Sequence, residues 1–427
     1  MTFLNFIINN ILTEASITIA IVAMLGLLIQ KKPGGEVASG TFKTMLGFLV
    51  LTAGSGVIIE SLEYFGEIFA EAFGLEGIIP SIEAINGQAM GDLGLGNQIA
   101  LTFLAIFVVN IILARITRFK YIFLTGQALL WMATMTTVFG YYGGLRGYSL
   151  IIFGGIIGGL FAVLMPAIAQ PFVRKITDSD EIALGHFCTI GYAVTAGVSK
   201  AVGDKSKSTE DIDFPKGFSF LQDTYLGVGA IMVPLYIVAA AFAGPEFSSQ
   251  FSGEENYIVY AFLQGVQFVV GVYILLAGVR LLLAEIVPAF RGIAMKIVPN
   301  AKPALDAPVL FPYAPQAVTI GFVFTTLGTV IAMFLLPLLS LPVLLPGMLT
   351  NFFAGGTAGI FGNAVGGRRG TMISGIVHGL FITILPALLV PVLGDMGFTS
   401  TTATDSDTIV AALLYDWIIN PILSIFT

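Results

Sequence analysis

Apolar stretches of about twenty residues recur from one end of the chain to the other, and that recurrence restricts the fold more than any other feature. A helix needs about 20 consecutive apolar residues to cross bilayer hydrocarbon. Such stretches fall near 11–30, 41–62, 98–115, 121–140, 149–169, 223–243, 257–285, 317–338, 371–394 and 408–426, and a broken segment at 340–366 makes an eleventh. The short alternating strands of a membrane barrel are not apparent. Apolar residues make up 56% of the chain and charged residues 11%, about half the charge of an average soluble domain. The expected class is therefore an all-α polytopic membrane protein with about 11 transmembrane helices, embedded in a lipid bilayer.

The rest of the composition excludes several functions. Cys188 is the single cysteine, which rules out a disulfide framework and a cysteine-rich metal site. Two separated histidines do not supply a metal or catalytic set, so neither a metal, a cofactor nor a catalytic residue is expected. The glycine runs follow no predicted strand and no P-loop is present, so nucleotide binding has no support, and no nucleic-acid partner is expected. The first residues lack a basic leader and a small-residue cleavage site, so the first span is expected to stay.

Basic residues mark cytoplasmic loops. Lys31 and Lys32 follow the first span, Arg115, Arg118 and Lys120 the third, and Arg174 and Lys175 the fifth. Arg291, Lys296 and Lys302 follow the seventh, and Arg368 and Arg369 precede the tenth. The other loops are acidic or neutral, with Glu246, Glu254 and Glu255 in one and Asp395, Asp405 and Asp407 in another. Eleven spans with the N-terminus outside and the C-terminus cytoplasmic satisfy the pattern. The glycine-rich stretch 181–201 does not fit a full crossing, because basic residues flank it on both sides. A re-entrant segment is expected there, carrying His186.

Asp306 stands among Pro303, Pro308 and Pro312, between hydrophobic spans. An ionisable group at bilayer depth costs at least about 2.5 kcal/mol. Broken backbone is tolerated there only beside protein or a water-filled cavity. A carboxylate on a proline-broken segment is thus a candidate solute ligand; the alternative is a loop carboxylate in the cytoplasm. The segments LVLTAG at 49–54 and YILLAG at 273–278 lie 224 residues apart, and the same offset carries Ile82, beside Glu83, onto Asp306. Two repeat halves follow, 1–222 and 223–427, the first with its re-entrant segment near 181–201, the second broken near 303–312 and 340–366. Repeats with interrupted helices hold solute between them. Gly154, Gly155, Gly158 and Gly159 form a small face for close helix contact.

Several segments in order resemble the EIIC membrane subunits of the L-ascorbate phosphotransferase family. They are GTFKTMLGFLVLTAGSG at 40–56, LTGQ at 124–127, LGH at 184–186, the long run at 278–322 containing LDAPV, and NAVGGRR at 363–369. The resemblance implies a homodimer in a bacterial or archaeal inner membrane, each protomer with an interface domain and a mobile core domain. The core would shuttle a small polyol or sugar-acid lactone inward by alternating access. A separate EIIB subunit, recharged by EIIA, would phosphorylate the solute, and the chain itself would not be an enzyme. The implied solute-binding positions are Gly54, Ser55, Ile82, Glu83, Gln127, Trp131, His186, Phe187, Asp306 and Val309. The family has His at Gln127, Gln at Trp131 and at Phe187, and a Thr-Tyr pair at 82–83. A polar shell rejects solutes that leave it unpaired, so these departures point to a solute other than ascorbate.

The other polar residues read as structural. His378 lacks an identifiable partner, Cys188 packs, and Glu60 and Glu63 sit at an interface. Arg280 and Glu285 form an anchor or an internal pair, and Trp131 stacks on a sugar or packs. The competing function is an ion-coupled secondary transporter of the same fold that works without EIIA and EIIB.

Overall fold

A computed structural model describes residues 15–74, 77–78, 80–211, 224–347, 350–399 and 401–423. The outer ends of the first and last expected spans, 11–14 and 424–426, lie outside the described residues, as do the side chains of Ser55, Glu83 and Arg280.

Two long helices, Gly34–Phe73 and Tyr257–Ile297, form one layer with helix Thr224–Ala243. At 40 and 41 residues each reaches about 60 Å, twice the hydrocarbon thickness. The second half of the first helix is amphipathic. Glu60, Glu63, Glu67 and Glu71 make an exposed stripe at helical spacing, while Ser61, Tyr64, Phe65, Ile68 and Phe69 are buried. The Ser61 hydroxyl reaches Tyr236 Oη at 2.8 Å and the Gln264 carbonyl at 2.8 Å, tying the layer together. Glu285, read above as an anchor or an internal partner of Arg280, pairs with Lys43 at 3.0 Å.

Helices Gly96–Ile116, Gly126–Tyr142 and Gly147–Thr177 form a second group. The small face of the third admits Thr102, Ala105, Ile106 and Val109 of the first. Gly158 and Gly159 leave no room for a Cβ, so this contact needs glycine. A third group joins Thr189–Val202 and Pro315–Leu335 to the long element Gly356–Asp395. That element breaks at Gly367, whose φ of 57° suits only glycine without strain, and it doubles back so that Thr371 Oγ1 donates to the Gly359 carbonyl at 3.4 Å.

Three short strands were not expected from the sequence: β1, Tyr121–Phe123; β2, Ala183–Leu184; and β3, Lys302–Leu305. They form a parallel sheet in the order β1-β3-β2, with Tyr121 opposite Lys302 and Ala183 opposite Ala304. The expected span 121–140 therefore begins as strand and becomes helix at Gly126. The broken segment at 340–366 begins extended; Leu344 forms a parallel bridge with Ile78, and the backbone is helical from Thr350 to the end of the segment. Among the described residues, five helices are long and apolar enough to cross a membrane: Gly34–Gly54, Gly96–Ile116, Gly147–Thr177, Pro315–Leu335 and Asn351–Asp395. The chain is thus largely helical and built for a bilayer.

Candidate solute site

Each strand runs straight into a helical start, and because the strands are parallel, these starts emerge together. β1 leads through Thr125 into helix Gly126–Tyr142; β2 leads through Gly185–Cys188 into Thr189–Val202; β3 leads through Asp306 into the 3-10 turn Ala307–Tyr313. The crossovers are locked by short bonds. Leu124 N–H donates to the Ala304 carbonyl at 2.9 Å, Gly185 N–H to the Leu305 carbonyl at 2.7 Å, and Thr125 Oγ1 to the Gly185 carbonyl at 2.5 Å. Gly185 approaches the Ala304 carbonyl so closely that a Cβ there would meet it. At these starts backbone N–H groups have no intrahelical partner and the helix dipole is positive. Helix Gly126–Tyr142 begins without a side-chain cap. Asp306 caps its own turn by accepting from Ala307 N–H at 2.7 Å.

His186 occupies the turn after β2, buried, with Nδ1 2.6 Å from the Tyr192 hydroxyl. The Thr189 hydroxyl donates to its carbonyl at 3.1 Å and closes the turn. Asp306 follows Leu305 of β3, which pairs with Leu184 of β2 two residues before His186. His378 approaches from helix Gly356–Asp395; its ring stacks on Tyr192 with centroids 6.0 Å apart, and its Nδ1 lies 3.4 Å from Thr325 Oγ1. These are the partners that its sequence context does not reveal.

The remaining implied positions divide. Ile82, Phe187 and Trp131 all belong to one apolar core with Phe123. Phe187 is fully buried and stacks on Phe123 at 4.4 Å between centroids. Gln127 stands half-buried at the uncapped start of its helix. Val309 is partly buried, and its N–H donates to the Asp306 carbonyl at 3.1 Å. Gly54 is buried on helix Gly34–Phe73, and the described hydrogen bonds do not link it to the strand–helix units. Glu83 and Ser55 can be located by backbone only, on helices Ile82–Gly91 and Gly34–Phe73.

The acidic run after the tenth expected span is not a solvent loop where Asp405 and Asp407 are concerned. Residues 401–408 are buried throughout. Asp407 accepts from Thr189 N–H and Ile190 N–H, each at 2.9 Å, and its own N–H donates to the Phe187 carbonyl at 2.8 Å. It is thus the cap that helix Thr189–Val202 lacks locally. Asp405 accepts from Cys188 Sγ at 3.5 Å. His186, Cys188 and Asp405 offer ligand atoms within 4.8 Å of one another, a set whose nitrogen, sulfur and oxygen could hold a borderline-soft cation. The same run reaches the start of helix Ile82–Gly91, where Ser81 N–H donates to the Thr402 carbonyl at 2.9 Å. The sequence carried one trace of this: Thr404 to Asp407, TDSD before an apolar run, matches a helix start.

The chain has relatives among known proteins. The family described as PTS system sugar-specific permease component matches residues 10–407. A curated relative, the ascorbate-specific PTS system EIIC component of Mycoplasma pneumoniae, is 26% identical over 436 residues. The match covers 88% of this chain, and the chain spans 65% of that relative's length. With the family matched over nearly its whole length, the chain belongs to the sugar-specific permease components of the phosphotransferase system.

Proposed function

We propose that the chain is the membrane-spanning EIIC subunit that carries a small hydroxylated solute inward, while separate EIIA and EIIB subunits supply the phosphoryl group. The observation that carries this reading is the convergence of three strand–helix units on His186, with Asp306 at one of their turns. Such a meeting of broken elements collects backbone N–H groups, carboxylate acceptors and an imidazole in one place, which suits a solute with many hydroxyls. His186 and Asp306 bind solute directly; Gln127 stands at the edge of the same site. Ile82, Phe187 and Trp131 furnish its apolar wall.

Two repeat halves, divided near residue 222, move as parts of a homodimer whose interface domain stays fixed while the core shuttles. The 224-residue offset supports the halves: it carries helix Gly34–Phe73 onto 258–297 and helix Gly126–Tyr142 onto 350–366, both helical in the second half. Eleven crossings, the N-terminus outside and the C-terminus in the cytoplasm of a bacterial or archaeal cell, complete the reading. The chain contributes no chemistry of its own.

The test is uptake by membrane vesicles containing this chain. Accumulation of solute as a phosphate ester, requiring phosphoenolpyruvate, EIIA and EIIB, is the expected outcome. Uptake that ignores phosphoenolpyruvate and collapses with an ionophore would assign the chain to ion-coupled transport instead.

A further inference from the structure

We propose that Asp405 is a second carboxylate of the solute site, and that Asp306 and Asp405 around His186 select an uncharged polyhydroxy solute over an anionic one. The inference rests on the solute-site reading above and names its substrate class.

Asp405 is 3% exposed, and the two oxygens of its carboxylate differ sharply in their surroundings. Oδ1 takes the Cys188 thiol at 3.5 Å and the Thr404 hydroxyl at 3.3 Å. Oδ2 is buried with no hydrogen-bond partner. A thiol is a weak donor and serves only the first oxygen. An unpaired carboxylate oxygen away from water is costly, so its persistence marks a place where a donor arrives from outside the chain. His186 lies beside it, with its ligand atom within 4.8 Å. The Nδ1 of that ring is committed to Tyr192, so the ring is fixed in orientation. Asp306 follows Leu305, which pairs with Leu184 two residues before His186.

The neighbouring Asp407 is different, because helix Thr189–Val202 consumes both of its oxygens. That leaves Asp405, with a ligand atom within 4.8 Å of His186, and Asp306 at the turn after the neighbouring strand β3. Among the described residues, none of the ion pairs includes either carboxylate; the lysines and arginines that pair do so at Glu36, Glu285 and Asp180. An incoming anion would meet two carboxylates and one imidazole. A neutral polyol would instead donate a hydroxyl to each carboxylate, and hydrogen bonds to charged acceptors are the stronger kind.

The experiment measures binding of ribitol, D-arabinitol and ascorbate to the purified full-length chain in detergent. Unmodified protein is expected to bind at least one pentitol tenfold or more tightly than ascorbate. Asp405→Asn should weaken pentitol binding at least tenfold while leaving ascorbate binding unchanged or stronger, and Asp405→Glu should recover part of the loss. Asp405→Asn with unchanged pentitol affinity, or wild-type preference for ascorbate, overturns the inference but leaves the solute site standing. Should Asp405→Asn not fold, the wild-type preference between pentitol and ascorbate decides alone. If unmodified protein binds none of the three, and none of a wider panel of sugars and polyols, the solute-site reading itself falls.

Discussion

Removing the Asp407 carboxylate should release the turn that carries His186. Asp407 is wholly buried and holds Thr189 N–H and Ile190 N–H at 2.9 Å each. Hydrogen bonds to a charged acceptor are worth about 1.5–3 kcal/mol apiece. Asp407→Ala loses both and leaves two amides unpaired at a helix start; relief from burying a carboxylate offsets part of this. The net cost is about 2–4 kcal/mol against local opening of the 186–191 turn, on the scale of one strong cap and one further bond. The chain contains its own reporter: Cys188 is the single cysteine, fully buried between these contacts. Where opening and closing are fast, the rate at which a thiol-reactive dye labels Cys188 follows the open population. At tenfold per 1.4 kcal/mol, labelling should accelerate about 30- to 700-fold. Asp407→Asn, which keeps one acceptor, should fall between. A rate indistinguishable from wild type would refute the assignment of Asp407 as the cap.

Two further outcomes concern the sheet. Gly185→Ala drives a methyl group into the Ala304 carbonyl, a backbone atom that cannot rotate away, so it should destabilise by about 1–3 kcal/mol; a purified variant with wild-type unfolding midpoint would contradict the packing. Asp180, in the loop before β2, joins Arg174, Gln170 and Lys302 and so fastens β3 to helix Gly147–Thr177. Burial pushes its carboxyl up, but hydrogen bonds from Lys302, Arg174 and Gln170 outweigh this and hold it well below the usual carboxylate range. A carboxyl depressed in the folded state stabilises fully above its unfolded value of about 4 and loses that contribution as pH falls further. The pairs are half-exposed, so the amount is about 1 kcal/mol or less. Asp180→Asn should flatten the acid limb of the stability profile below about pH 4 and leave its shape near neutrality unchanged.

The broad class and the most unusual position were legible in the residues. Hydropathy shows helices of membrane length, and Asp306 stands out because three prolines and an acid interrupt an apolar context. The small face at Gly154–Gly159 likewise announces a close helix contact that the structure makes. The strands are another matter. Two to four residues give no period to read; Tyr121–Phe123 is apolar enough to merge with the helix that follows, and Lys302–Leu305 contains a proline that argues against a central strand. Their existence depends on long-range pairing between three distant segments. Asp405 and Asp407 were hidden for an electrostatic reason. Acids beside Thr and Ser look like a solvated loop, and only the fold reveals that amides 217 and 218 positions away bond Asp407 and that the Cys188 thiol, 217 positions away, reaches Asp405. His378 shows the same limit, since Thr325 and Tyr192 meet it only after helices Pro315–Leu335 and Thr189–Val202 pack.

The central claim is that His186 and Asp306 grip a hydroxylated solute where the helical starts converge. The most direct measurement is the affinity of purified wild-type, Asp306→Asn and His186→Gln proteins for the best-bound polyol or sugar. Each substitution should weaken binding by about 10- to 150-fold, the range set by about 1.5–3 kcal/mol per hydrogen bond to a charged group, with folding checked by unchanged protection of Cys188. Two folded variants that bind as tightly as wild type would contradict the account.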